Sequence, residues 1–100
     1  MEKFDVKLSP AAQRDFFGVV EHIDTMPPEE AVQHYEQILI ETEMLTKTPA
    51  SCPFARDFQL RLRGYRILFV ADYMFFFVIN EKVVQIRRIL YAKRQYERLI

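Results

Sequence analysis

The chain has little of what most often announces a chemistry. Of 100 residues one is a cysteine, two are glycines, none is a tryptophan, and the formal charges cancel. The lone Cys52 excludes an intrachain disulfide and any cysteine-built metal site, and suits a reducing cytoplasm. Gly18 and Gly64 stand too far apart for a glycine-rich phosphate loop. The opening MEKFDVKLSP lacks the basic-then-apolar order of a signal peptide. The longest apolar run, Met74 to Ile79, is far too short to cross a bilayer, so no membrane association is expected.

What is present describes a globular chain. Half the residues are hydrophobic and 28% are charged, and nine Phe with five Tyr imply a phenylalanine-rich core. Without repeats, linkers or low-complexity segments, residues 1–100 read as one domain. The neutral total conceals a division. Residues 1–50 hold four Lys/Arg against ten Asp/Glu, and residues 51–100 hold ten against four. A basic second half suits an anionic partner, either nucleic acid or an acidic protein segment; equally, the halves can neutralise each other within the fold.

Periodicity divides the chain in the same way. FDVKL (4–8) alternates as a short strand. Ser9-Pro10 supplies an N-cap followed by a first-turn proline. Ala12, Phe16, Val19, Val20 and Ile23 then form one stripe of a helix over about 10–24. MPP breaks it, and Pro28-Glu29-Glu30 opens a second helix to about residue 47, with the acids at its positive end. Residues 50–63 are irregular, with ARDFQLRLR fitting a loop or a short strand. Three strands follow at 65–70, 73–79 and 83–90. They turn at Ala71-Asp72 and Asn80-Glu81-Lys82. His22 and His34 fall on separate helices and read as solvated side chains, and Cys52 as a structural thiol.

The segment LRLRGYRILFVADYMFFFVI (60–79) raises a question, because Arg61, Arg63 and Arg66 stand directly before the most apolar run. Side chains alternate across a sheet. A two-residue first turn sets Arg66 opposite Phe77, and a three-residue second turn sets Phe77 opposite Gln85 and Phe75 opposite Arg87. Ile67, Phe69, Met74, Phe76, Val78, Val84, Ile86 and Leu90 then share the face expected to carry the helices. The other face mixes Arg66, Tyr73, Gln85, Arg87 and Tyr91 with Leu68, Val70, Phe75, Phe77 and Ile89, which suggests a binding surface. Arg88 falls on the core side and needs an exit at a strand end or a carboxylate partner. A one-residue shift in the second turn exchanges Arg87 and Arg88.

LSPAAQRDF (8–16), GYRILFVADYMFFFVINEKVVQI (64–86) and RRILYAKRQYERL (87–99) together resemble the RelE/ParE family of toxins from bacterial type II toxin–antitoxin systems. The resemblance spans essentially the whole chain. It implies an α+β fold: an N-terminal strand, a two-helix hairpin on one face of an antiparallel three- to four-stranded sheet, and a short C-terminal helix. It implies a cytoplasmic growth inhibitor without cofactor or metal, neutralised in a hetero-oligomer by a cognate antitoxin whose C-terminal segment wraps it. RelE-type relatives cut mRNA in the ribosomal A site, whereas ParE-type relatives poison DNA gyrase. Tyr73 stands where RelE-type enzymes carry an arginine. Tyr65 and Arg66 fall near their lysine pair, Tyr91 near a terminal histidine, and Lys93 and Arg94 at the basic positions after the last strand.

Cleavage through a 2′-hydroxyl needs a base, an acid and charge stabilisation on phosphate. If the chain is a metal-independent nuclease, the resemblance makes Arg66, Arg87, Tyr91 and Arg94 its catalytic set. Target or antitoxin binding is expected at Arg61, Arg63, Arg66, Leu68, Val70, Tyr73, Phe75, Phe77, Lys93 and Tyr96. The missing arginine and the ParE-like ending RILYAKRQYERL favour gyrase inhibition over mRNA cleavage.

Overall fold

The computed structural model describes residues 3–91. β1 (Asp5–Leu8) leads into α1 (Pro10–Ile23), which begins as its cap chemistry dictates: the Ser9 hydroxyl accepts a 3.1 Å hydrogen bond from the Ala12 N–H and Pro10 opens the first turn. α2 (Pro28–Met44) starts with Glu29 and Glu30 in its first turn. The Tyr35 hydroxyl donates to Asp24 at 2.9 Å and ties α2 to the end of α1.

The irregular segment resolves into a 3-10 turn, Pro49–Ser51, and a one-turn helix, α3 (Phe58–Leu62). Asp57 caps α3 by accepting from the Leu60 N–H at 3.0 Å, and Leu60 is its buried anchor. Residues 58–62 of ARDFQLRLR are therefore helix and not strand, with irregular chain before them: Phe58, Leu60 and Leu62 alternate in sequence, but a local cap overrides a two-residue period.

β2 (Arg66–Val70), β3 (Tyr73–Asn80) and β4 (Val83–Tyr91) form the expected antiparallel meander, and β1 joins parallel to β4, giving the order β1-β4-β3-β2. The first hairpin has the expected register, with Arg66 paired to Phe77 and Val70 to Tyr73. The second differs. Its turn has two residues, Glu81 and Lys82, since Asn80 pairs with Val83; Phe77 lies opposite Ile86 and Phe75 opposite Ile89.

A bulge makes the difference up. Phe76 pairs with Arg88 and Phe77 with Ile86, leaving Arg87 as the extra residue. The parity of β4 changes there, so Val84 and Ile86 before it, and Ile89 after it, all reach the same core. α1 satisfies the backbone groups that the bulge frees. The Ser9 hydroxyl donates to the Arg87 carbonyl at 2.9 Å, and Asp15 Oδ2 accepts from the Ile89 N–H at 2.9 Å. Asp15 also takes Arg88 Nε at 2.7 Å, so of the two outcomes expected for Arg88, an exit at a strand end or a carboxylate partner, the structure shows the second.

Val84 and Ile86 lie under the helices as expected, but for β2, β3 and the end of β4 the two sheet faces are the reverse of the sequence expectation. Leu68, Val70, Tyr73, Phe75, Phe77 and Ile89 lie under α1 and α2, in one core with Ala12, Val19, Ile23, Ile38 and Leu45. Ile67, Met74, Phe76 and Leu90 line the opposite face, against Ala55 and Leu60. Phe69, expected beneath the helices, is exposed. Both faces of β2 and β3 are apolar, so alternation alone could not tell which one the helices take. The expected C-terminal helix lies outside the described residues. Among those described, no helix is long and apolar enough to cross a membrane.

Candidate functional site

The placement of the arginines decides what the sheet can do. Arg66 donates from Nη1 to the carbonyls of Ala50 (3.1 Å) and Cys52 (2.7 Å), and its guanidinium lies 3.9 Å from the centre of the Phe54 ring. It pins the segment before α3 to the edge of the sheet. Arg61 is exposed and donates from Nε to the Ala55 carbonyl at 3.2 Å; Arg63, at the end of α3, is exposed. These arginines stand among exposed Phe54, Phe58 and Leu62, on the α3 side of the molecule and not on a bare face of the sheet. Arg87 is exposed and donates to the Gln85 side chain at 2.7 Å.

Leu68, Val70, Tyr73, Phe75 and Phe77 are buried under the helix hairpin and not on a bare sheet face, although Phe75 and Tyr73 still line concavities at its edges. Lys93, Arg94 and Tyr96 lie outside the described residues. Burial pushes the Cys52 thiol up, with Arg66 opposing and Glu41 adding to the shift, so this cysteine is a poor nucleophile. Among the described residues no group of three or more His, Cys, Asp or Glu could hold a metal ion.

Two concavities among the described residues border the sheet. The larger, about 690 Å3, opens between α1, α2 and β1 over the middle of the sheet. Val6, Leu8, Phe16, Ile38, Leu39, Phe75 and Ile86 line it, with Thr42, Glu43 and Thr46 on its α2 side. Leu39 there is 69% exposed.

The second, about 510 Å3, lies between α1 and the ends of β3 and β4. Arg14, Gly18 and His22 follow one another at four-residue spacing along α1 and line it together with Tyr73, Arg88 and Tyr91. The three rings form a triangle: His22 lies 6.3 Å from Tyr73 and 5.4 Å from Tyr91, and the two tyrosines are 5.6 Å apart. Arg88 is held above its ordinary pKa, first by its hydrogen bond to Asp15. The structure thus brings Tyr73 and Tyr91 together, but apart from Arg66 and Arg87. It adds Arg14, which sequence reasoning passed over, and His22, which it read as a solvated side chain. The signal available was the Arg14–Gly18–His22 spacing, whose glycine interrupts a helix where that residue ordinarily costs about 0.5–1 kcal/mol relative to alanine.

The Tyr73 hydroxyl is buried and has no hydrogen-bond partner among the described residues. Burial first, then the charges of Tyr91, Asp72 and Tyr35, push its pKa up to about 12. The folded value lies above the ordinary value near 10, so the neutral phenol contributes stability in full below about pH 10. That contribution is lost as pH rises through about 12. A spectroscopic titration should show one tyrosine ionising only with alkaline unfolding, and in Tyr73→Phe that late step should be absent.

Comparison with known proteins agrees with this architecture. The family model for the ParE toxin of type II toxin-antitoxin system, parDE, matches residues 6–96. Among solved structures, the chromosomal ParDE system from P. aeruginosa superposes with a TM-score of 0.68 at 19% identity, over 90% of this chain and 97% of that one. The RelBE2 toxin–antitoxin complex from Mycobacterium tuberculosis superposes with a TM-score of 0.59 at 18% identity, over 93% and 97%. No curated protein sequence matches the chain.

Proposed function

The chain belongs to the ParE toxin family of type II toxin–antitoxin systems, and from that premise we propose that the free protein arrests growth in the cytoplasm by inhibiting DNA gyrase. The observation that carries this reading is the scatter of the basic groups. Arg66 pairs in the Phe77 row of the sheet, whereas Tyr91 pairs in the Tyr73 row, alongside Val70. Four residues of strand separate the two rows, about 13 Å at 3.3 Å per residue. Arg66 is committed to two backbone carbonyls, and Arg88 to Asp15. That spacing, with Arg66 already engaged, argues against Arg66 and Tyr91 gripping one phosphate together as the charge-stabilising pair that RNA cleavage needs.

The partner that silences the toxin is a cognate antitoxin, in keeping with the toxin–antitoxin complexes among the structural neighbours. The groove between α1 and α2 suits an apolar stretch of such a partner, because monomers rarely leave a lined apolar concavity of this size open.

One observation favours mRNA cleavage instead. His22 stands beside Tyr73 and Tyr91, and imidazole is the side chain best suited to proton transfer near neutrality. Purified protein separates the two. Gyrase supercoiling should be inhibited, with broken DNA accumulating, and mRNA on translating ribosomes should stay intact. Codon-phased A-site cuts that vanish in His22→Ala, with gyrase unaffected, would establish the nuclease.

A further inference from the structure

We propose that the chain associates head to tail with copies of itself, the outer face of α2 on one copy resting against the α3 surface of the next. The two surfaces are opposite in charge. α2 carries five glutamates and no lysine or arginine. Glu29, Glu36 and Glu43 are exposed and recur every seven residues, which sets them in one line on the side of the helix away from buried Ile38. The segment around α3 holds Arg56, Arg61, Arg63 and Arg66 against the single carboxylate of Asp57.

The fold does not cancel these charges internally. Among the described residues Glu29, Glu36 and Glu43 form no ion pair, and neither do Arg56, Arg61 and Arg63; the pair between Asp15 and Arg88 lies on other elements. Both surfaces also expose apolar side chains. Val32 and Ile40 lie between the glutamates, and Phe58 and Leu62, one turn apart on α3, stand among the arginines. Burial of these side chains supplies attraction, and the charges decide which surface meets which.

Charge and placement together select a second copy in this orientation. α2 cannot pair with α2, because glutamate would face glutamate. Nor can the two surfaces meet within one chain. Ile38 anchors α2 in the core on one side of the sheet, and Leu60 anchors α3 in the core on the other, so their exposed faces point apart. One copy can therefore use both surfaces at once, and the contact does not close at two chains. The line from Glu29 to Glu43 covers about 21 Å of a single helix, which makes the interface small and the association weak.

The test needs neither gyrase nor antitoxin, so it stands or falls apart from the toxin reading. Sedimentation of the purified full chain in low salt should show a monomer at about 5 µM and an average above two chains at about 500 µM. About 0.5 M salt should return it toward monomer. Glu36→Gln/Ile40→Gln alters α2 alone, and Phe58→Gln/Arg63→Gln alters the α3 surface alone. All four side chains are exposed, so the melting temperatures should hold. Each double variant should self-associate about tenfold more weakly than the parent. Mixed in equal amounts, the two should form a two-chain complex and stop there, since the intact α2 of one meets the intact α3 surface of the other and no second matched pair remains. A monomer at every concentration, association that salt does not weaken, variants that assemble like the parent, or a mixture no heavier than its components would each overturn the proposal.

Discussion

Phe77→Ala should cost about 3–5 kcal/mol of folding stability, the usual range for deleting a fully buried phenylalanine from a packed core. The side chain has no exposed surface and packs with Leu68, Phe75 and Ile86 beneath α1 and α2. A domain of this size typically holds only about 5–15 kcal/mol, so the loss is a large share of the total. At about 4–8 °C per kcal/mol, melting should fall by more than about 12 °C. Phe69→Ser is the matched control. Phe69 sits in the neighbouring strand but is 57% exposed, and its replacement should change stability by less than about 1 kcal/mol. Urea and thermal unfolding of the two variants would decide between the buried face described above and the open face that the sequence suggested. A stable Phe77→Ala paired with a crippled Phe69→Ser would mean that the helices cover the other side.

The reason the sequence misassigned that face is physical. MFFFVI is apolar at every position, so the alternation that usually separates a wet face from a dry one carries no information there. Arg66 and the Arg87-Arg88 pair tilted the reading, yet both owe their places to local backbone needs. Arg66 serves carbonyls at positions 50 and 52, and the Arg87-Arg88 pair marks a bulge. A bulge is hard to read from a strand alone, because the groups that satisfy it, Ser9 and Asp15, lie more than 70 positions earlier in the chain. The helices were legible because each carries its own start signal and a continuous stripe. The first hairpin was legible too, since a two-residue turn fixes register without help from elsewhere.

The site was legible only in part for the same reason. Tyr73 and Tyr91 stood out by their positions against a known family. His22 could not be joined to them by spacing, since α1 reaches the ends of β3 and β4 only through tertiary packing. Its exposure made it resemble any solvated helix histidine. The α1–α2 groove was equally invisible: Ile38 and Leu39 are adjacent in sequence, and only the helix geometry makes one a core residue and the other a projecting wall.

Leu39→Lys should therefore release the protein from its antitoxin without unfolding it. Leu39 lines the groove but is largely exposed, so its replacement removes little from the core. Lysine is a good helix former and would stand three residues after Glu36 and four before Glu43, where opposite charges add a few tenths of a kcal/mol. Folding stability should stay within about 1 kcal/mol of the parent. The complex is another matter. An apolar partner segment laid into the groove would have to bury the new ammonium against Ile38, Phe16 and Ile86, or leave the groove partly empty. Losing a central contact of this kind costs at least about 2 kcal/mol, or roughly 30-fold in affinity. Phe17→Ser is the companion variant: Phe17 is as exposed as Leu39 but does not line the groove, and its replacement should leave affinity nearly unchanged. The antitoxin is sought in the adjacent open reading frame, as a small acidic protein with a DNA-binding N-terminal half. Affinity is measured by calorimetry, and growth is followed with toxin and antitoxin co-expressed. Growth arrest by Leu39→Lys despite the antitoxin, with Phe17→Ser still neutralised, places the antitoxin in the groove. Equal neutralisation of both variants, with affinities unchanged, would move the antitoxin elsewhere and leave the exposed Phe58, Leu62 and arginine surface beside α3 as the alternative.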